Sequence, residues 1–419
     1  MSPSTGVDPV RPRVEWRLLL VAFWVTSLVE SIGVSQMFAL LPSLLREMGV
    51  PDPDRLRFVG LFSSLMFILG MPLVPLWGVW ADKISRKAVI VRSALVEAVV
   101  FGIAASAREP AHVALSVLLI GFQLGNTGVM LAGLRDVAPR QRLGTVIAIF
   151  GASGPLGMAA GPALAGALID GLGWSIPMVF ALSSGLSLLT AAIVAFATPE
   201  VRPEVVPQGA VLRLAYGAVR GALGDPLVRR LFLVYGVVFL ANQVSRPYVP
   251  ILVEGLAGRG PGLASAIGLV LGVASLMGAL ASPIAGWIAD RIGFRPVLLV
   301  SLALGGVTSI LMPAAPAVAA LAALALVLGA SVATVGAMVF SMLATEVPPE
   351  RRSATLNLVY LPLYISGIIG PTIGAVVASV GGSGAPFVLG GIVSIAGAAA
   401  MALRRSMTSV ASPSTRPVE

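Results

Sequence analysis

Long apolar runs, recurring along the whole chain, constrain this sequence more than any other feature. Reading between charged residues and Gly or Pro punctuation gives twelve of them, at 17–40, 57–79, 88–107, 112–134, 144–168, 174–196, 230–253, 263–287, 296–314, 316–344, 354–379 and 385–403. An apolar helix needs roughly 20 residues to cross a bilayer, and these runs meet that length. A large soluble core is the alternative, and composition excludes it. The chain is 11% charged and 57% hydrophobic, with mean hydropathy +0.95, whereas soluble proteins are about a quarter charged. The expected class is therefore an all-α integral membrane protein with twelve transmembrane helices. The division between the ninth and tenth runs rests on Pro313 and Pro316 alone.

The net charge of +9 would suggest nucleic acid on a soluble chain. Its distribution argues otherwise. Alternate loops hold only Arg46, Arg55, Arg57, Arg108 and Arg259, while every other Lys and Arg except Arg246 falls in the opposite set of loops and the tails. That is the positive-inside pattern, with both termini cytoplasmic and an even number of spans. No nucleic-acid partner is expected. The chain has no cysteine and a single histidine, His112, so no disulfide, thiolate nucleophile or metal cluster is expected. The first apolar run lacks a small-residue cleavage site and exceeds a signal peptide's apolar region, which reads as a retained first helix.

Three pairs of segments repeat in one register. Gly78-Val-Trp-Ala-Asp-Lys-Ile-Ser-Arg-Lys87 recurs as Gly286-Trp-Ile-Ala-Asp-Arg-Ile-Gly-Phe-Arg295, Ala138-Pro-Arg-Gln-Arg142 as Pro348-Pro-Glu-Arg-Arg352, and Gly161-Pro162 as Gly370-Pro371. The repeat divides the chain into two pseudo-symmetric six-helix halves, 17–196 and 230–404. A polar tail (1–16) precedes them and another (405–419) follows. Between them lies a Pro-rich cytoplasmic linker, 197–229, with an amphipathic stretch from Val211 to Leu223.

The repeated decapeptide resembles the signature loop of the major facilitator superfamily, and the resemblance runs from the first span to the last. It implies the major facilitator fold, alternating access and a cytoplasmic gate built from Gly78, Asp82, Arg86, Lys87, Gly286, Asp290, Arg291 and Arg295. The glycines would let helices approach closely and the aspartates would pair with basic residues. Asp136 and Glu346, at helix ends, join the gate network. Ser85 departs from the family's usual glycine, which the second copy keeps as Gly293. Gly157-Met-Ala-Ala-Gly161-Pro162-Ala-Leu-Ala-Gly166 resembles the motif of the antiporter branch, a small-residue face bent by proline. With Leu40-Leu-Pro-Ser-Leu-Leu45 and Arg92-Ser-Ala-Leu95, the chain is most similar to twelve-span drug/proton antiporters, the multidrug and tetracycline exporters. The branch's usual arginine in the fourth span, expected near Val117, is missing.

Ionisable residues inside spans are costly and mark function. Glu30, Glu97 and Arg246 are the proton-coupling candidates. Glu30, midway along the first span, either carries the proton or forms a permanent pair with a base such as Arg246. Glu97 is a second carboxyl that stands near Arg92 in sequence. Arg246, beside Asn242 and Gln243, contacts an anionic substrate, tunes Glu30 or reaches outer headgroups. Gln36, Gln123, Asn126, Asn242, Gln243, Asn357, Tyr360 and Tyr364 are candidates for lining a substrate cavity, with helix-to-helix hydrogen bonding as the alternative.

The expected function is secondary active transport, with protons exchanged for a drug-like or lipophilic molecule, apolar or cationic, across the plasma (cytoplasmic) membrane. A sugar or metabolite exporter, a symporter or an uncoupled facilitator is the nearest alternative, and a transport-inactive receptor or scaffold the alternative of another class. No cofactor beyond the proton gradient is expected, and the resemblance implies a monomer. No nucleophile motif, metal cluster or phosphate-binding loop supports an enzyme.

Overall fold

The computed structural model describes residues 15–201, 203, 206–346 and 361–409. The described residues are almost wholly helical. Eleven of the helical segments are long and apolar enough to cross a membrane: Trp16–Glu47, Asp52–Lys83, Arg86–Ser106, Pro110–Val137, Arg140–Gly171, Ile176–Ala197, Leu263–Ile292, Phe294–Ala314, Val318–Met342, Leu361–Gly381 and Ala385–Leu403. The seventh expected span is the broken one. Its helix Pro226–Ser245 gives way to a 3-10 turn, Arg246–Tyr248, and resumes at Val249–Ala257. Pro247 and Pro250 lack the N–H that a continuous helix would use there. Twelve spans in two halves result.

The helices fill the bilayer because their backbone groups are satisfied internally, which lipid demands. Prolines at positions 42, 75, 155, 162, 283 and 371 lie inside spans without ending them, as neighbouring helices allow in this setting. Between the halves, helix Val211–Gly224 lies against the second span, where the Tyr216 hydroxyl donates to the Pro72 carbonyl at 2.9 Å.

The packing is unequal at the two ends of the molecule. Near the face carrying Trp16 and both signature loops, the halves have separate cores. One contains Leu19, Trp77, Ile90 and Met130; the other contains Phe232, Leu298, Met338 and Ala398. At the far face a single core takes residues from both halves, among them Leu45, Phe67, Tyr248, Ile267, Tyr364 and Phe387. There the helices touch backbone to backbone. A Cβ on Gly60 would lie 2.5 Å from the Pro371 carbonyl, one on Gly268 2.6 Å from the Pro162 carbonyl, and one on Gly166 2.6 Å from the Ser265 Cα. At the signature face a Cβ on Gly78, Gly144 or Gly286 would meet nothing within 4 Å. The halves are closed at the far face and parted at the signature face.

Candidate functional site

Between the halves lies a cavity of about 890 Å³, walled by the first, fifth, seventh, eighth and tenth spans. Its lining is mostly apolar, with Asn242, Gln243, Ser245 and Arg246 of the broken seventh span among its polar groups. The guanidinium of Arg246 lies 4.6 Å from the ring centroid of Phe38 on the first span. A cavity of this size and character suits a drug-sized ligand.

A second cluster sits inside the first half, to the side of the cavity. Gln123 Nε2 donates to Glu30 Oε1 at 2.5 Å, and Asn126 Nδ2 donates to Glu30 Oε2 at 3.2 Å. Glu97 is buried, and its Oε1 has no hydrogen-bond partner. That oxygen lies 3.2 Å from where a Cβ on Gly33 would stand. Gly33 is three residues past Glu30, so the two carboxyls meet the same side of the first span. Arg92, on the third span five residues before Glu97, covers the Trp77 ring at 3.6 Å, and its buried guanidinium nitrogens have no hydrogen-bond partner among the described residues. Val117 is fully buried in the core, and the buried arginine of this half is Arg92 of the third span.

These contacts revise several sequence expectations. Glu30 does not pair with Arg246; two amides hold it. Arg92 and Glu97 form no salt bridge, because Arg92 stacks on Trp77. Gln123 and Asn126 serve Glu30 rather than line the cavity. Gln36 is buried as well, donating to the Gly161 carbonyl at 3.3 Å and accepting from the Ser183 hydroxyl at 2.6 Å. Tyr364 packs against Phe67 at 6.1 Å between ring centroids. Asn357 and Tyr360 lie outside the described residues, as do Arg351 and Arg352.

The two signature loops differ. In the first, Arg86 bonds Asp82 at 2.9 Å and Asp136 at 2.6 Å, and Lys87 donates to the Thr198 carbonyl at 2.7 Å. Ser85 sits at φ −167°, an extended conformation that needs no glycine, and caps the third span by accepting from Ala88 N at 2.9 Å. It also donates to Glu200 at 2.5 Å. Gly293, its counterpart, has φ +91°, where a side chain would be strained. That difference explains the departure at Ser85. In the second loop Asp290 is exposed, Arg291 stacks on Trp287 at 3.5 Å, and Arg295 donates to the Met401 carbonyl. The close approach expected at Gly78 and Gly286 is not made in this conformation.

The small-residue motif of the fifth span packs on two helices at once. Gly157 and Gly161 face the first span, where a Cβ would come within 2.6 Å of the Leu28 carbonyl and 2.5 Å of the Ile32 carbonyl; Pro162 and Gly166 face the eighth. At the far face an ion cluster joins the halves. Arg55 binds Glu254 through two bonds of 2.8 and 3.0 Å, Arg46 and Arg259 reach the same carboxylate, and Arg259 also binds Asp52 at 2.6 Å. Asp170 of the first half accepts from the Gly262 and Ser265 amides at the start of the eighth span, at 3.0 and 2.7 Å. Sequence reasoning missed Glu254 and Asp170. Their signal was an acidic residue closing an apolar run, opposite Arg46, Arg55 and Arg259 for Glu254 and opposite a helix start for Asp170. Among the described residues no group of His, Asp or Glu is arranged to hold a metal.

The family model of the Major Facilitator Superfamily matches residues 19–266 and again residues 231–418. The chain belongs to the Major Facilitator Superfamily. It is a membrane transporter, not an enzyme. Within the superfamily, the multidrug resistance protein MdtG of Rahnella sp. (strain Y9602) is 26% identical over 304 residues, 72% of each chain. Among solved superfamily folds, the nucleoside transporter NupG matches with TM-score 0.73 at 14% identity, covering 94% of this chain and 100% of that one. A bacterial homologue of the human lysosomal transporter Spinster matches with TM-score 0.70 at 15% identity, over 94% and 96% of the two chains. At such identities these structures show the fold alone.

Proposed function

We propose that this transporter is a proton-coupled exporter of lipophilic, drug-like molecules, acting in the plasma membrane with both termini in the cytoplasm. The observation that carries the reading is the Glu30–Glu97 cluster, two carboxyls withdrawn into one half beside the wall of the cavity. A carboxyl pair of this kind has little structural use. Glu97 leaves an oxygen unpartnered, a cost a merely structural residue would not sustain. The similarity to a multidrug resistance protein and the antiporter-type motif support export, and the distribution of Lys and Arg supports the orientation.

The signature face is then cytoplasmic and the conformation inward-facing. Substrate enters the cavity from the inner side. The halves rock, the ion cluster at the far face parts, and substrate leaves while a proton enters. On return the proton is released inward. Glu30 is placed to link these events because the next turns of its helix carry Ser35 and Phe38 on the cavity wall. The first span also carries the packing against the fifth.

Inside-out membrane vesicles with an acid-inside gradient test this, using fluorescent lipophilic probes of neutral, cationic and anionic character. Wild type is expected to accumulate at least one probe in response to the gradient, and Glu30→Gln to abolish that response. Accumulation indifferent to the gradient would mark a facilitator. A Glu30→Gln variant with wild-type coupling would move the proton site elsewhere.

A further inference from the structure

We propose that the cavity selects organic anions, amphipathic carboxylates or sulfonates with an apolar body, and that Arg246 is the residue that binds the anionic group. This rests on reading the cavity between the halves as the transport site. It replaces the apolar or cationic substrate expected from the sequence, and takes up the anion contact that was one of the roles expected for Arg246.

The seventh span is broken at Arg246–Tyr248. Irregular backbone at membrane depth is tolerated where it is buried in protein or lines a cavity, and in transporters interrupted spans place polar groups at the ligand. Here the last turn of the helix Pro226–Ser245 puts Asn242 and Gln243 on the cavity wall, and the 3-10 turn that follows adds Arg246. Arg246 is the one charged side chain among the described residues that line it. Among those residues its guanidinium donates to no carboxylate and forms no salt bridge; it lies over the face of Phe38.

A guanidinium at membrane depth without a counter-ion is costly, and the polar surroundings of Asn242 and Gln243 do not neutralise it. Reaching the headgroups is not available as an escape. The helix continues for 11 residues to Ala257, about 16 Å at 1.5 Å per residue, more than an arginine side chain spans. The Phe38 ring, 4.6 Å from the guanidinium carbon, offers no lone pair to the N–H donors, which leaves their fork for a ligand. That fork matches a carboxylate or sulfonate with two parallel bonds. Around it the wall is apolar, with Met158, Leu271, Leu276 and Val332. The two carboxyls that might have attracted a cation, Glu30 and Glu97, do not line the cavity. A cationic drug would meet a like charge there and no acceptor carboxylate.

The test is a binding measurement that needs no transport. The purified full-length protein is titrated with 1-pyrenebutyrate, 1-pyrenebutanol and 1-pyrenemethylammonium, followed by pyrene fluorescence polarisation. The three share the pyrene ring and differ in the charge of the head group; each is also titrated into protein-free detergent, and the signal above that blank reports the site. Wild type is expected to bind the carboxylate at least about tenfold more tightly than the alcohol, as a charge-assisted bidentate contact gives, and to bind the ammonium weakest. Arg246→Gln should lower carboxylate affinity to that of the alcohol while leaving alcohol binding unchanged, which also shows the cavity to be intact. Arg246→Lys should keep an intermediate preference, since a point charge lacks the fork. A wild type without carboxylate preference overturns the proposal on its own, and so does a preference that survives Arg246→Gln. Carboxylate preference without gradient-driven flux of any probe would sink the exporter reading and leave the anion site standing. Gradient-driven flux of the ammonium probe alone would do the reverse.

Discussion

Arg55 and Glu254 form a buried ion pair between the halves, a two-bond pair with side chains 4% and 5% exposed. Removing one partner of a buried pair costs about 3–5 kcal/mol, because the other charge is left in a poor solvent. Arg46 and Arg259 would recover part of this for Glu254. The loss falls on the state in which the far face is closed, since opening that face separates the pair in any case. Arg55→Ala should therefore raise the population open to the far side by about tenfold or more, the equivalent of 1.4 kcal/mol. The absence of native cysteine makes this measurable. Ser64, 3% exposed at the far-face contact, serves as the reporter after Ser64→Cys. An impermeant maleimide applied from the far side should label it several-fold faster when Arg55→Ala is also present. Equal rates would mean that the cluster does not hold the face shut.

On the scale of single helices, the fifth span is the one whose sequence most directly determines its contacts. Gly157 and Gly161 place their Cα atoms against the backbone of the first span. Gly161→Leu forces that contact open, with an overpacking cost of about 1–3 kcal/mol. It should lower the melting temperature in detergent and reduce transport. Gly151→Leu, where a Cβ would meet nothing within 4 Å, should leave the melting temperature unchanged. A matching loss in both variants would show that helix propensity, not packing, sets the effect. Span number, the repeat and this small-residue face were all legible in the sequence, because each is a local pattern of apolarity or size. The partners of polar residues were not. Gln36 and Gln123 look alike in an apolar run, and only the rotation of each helix decides that one meets Ser183 and the other Glu30. The same limit hid the position of Arg92, which stacks on Trp77 of the second span. The break at Arg246 was signalled by Pro247, yet its meaning depended on a cavity that no linear pattern describes.

For the molecule as a whole, one shared core at the far face and two separate cores at the signature face amount to a hinge with one end closed. Alternating access then requires the far-face contacts to separate in every cycle. The hydroxyls of Ser64 and Thr372, from opposite halves, lie 2.9 Å apart, so cysteines at both positions can come within the Cβ separation of about 3.5–4.5 Å that a disulfide needs. Oxidising the Ser64→Cys, Thr372→Cys double variant should cross-link the halves and halt transport, and reductant should restore it. Either single variant should transport normally under the same oxidant. The cross-linked protein should still bind the pyrene probes, because the cavity lies between the closed contact and the parted face. If cross-linked protein instead transports at the uncross-linked rate, the far face never opens during turnover. The two separate cores would then be a feature of one static state, and the rocking of the halves would have to be abandoned as the mechanism.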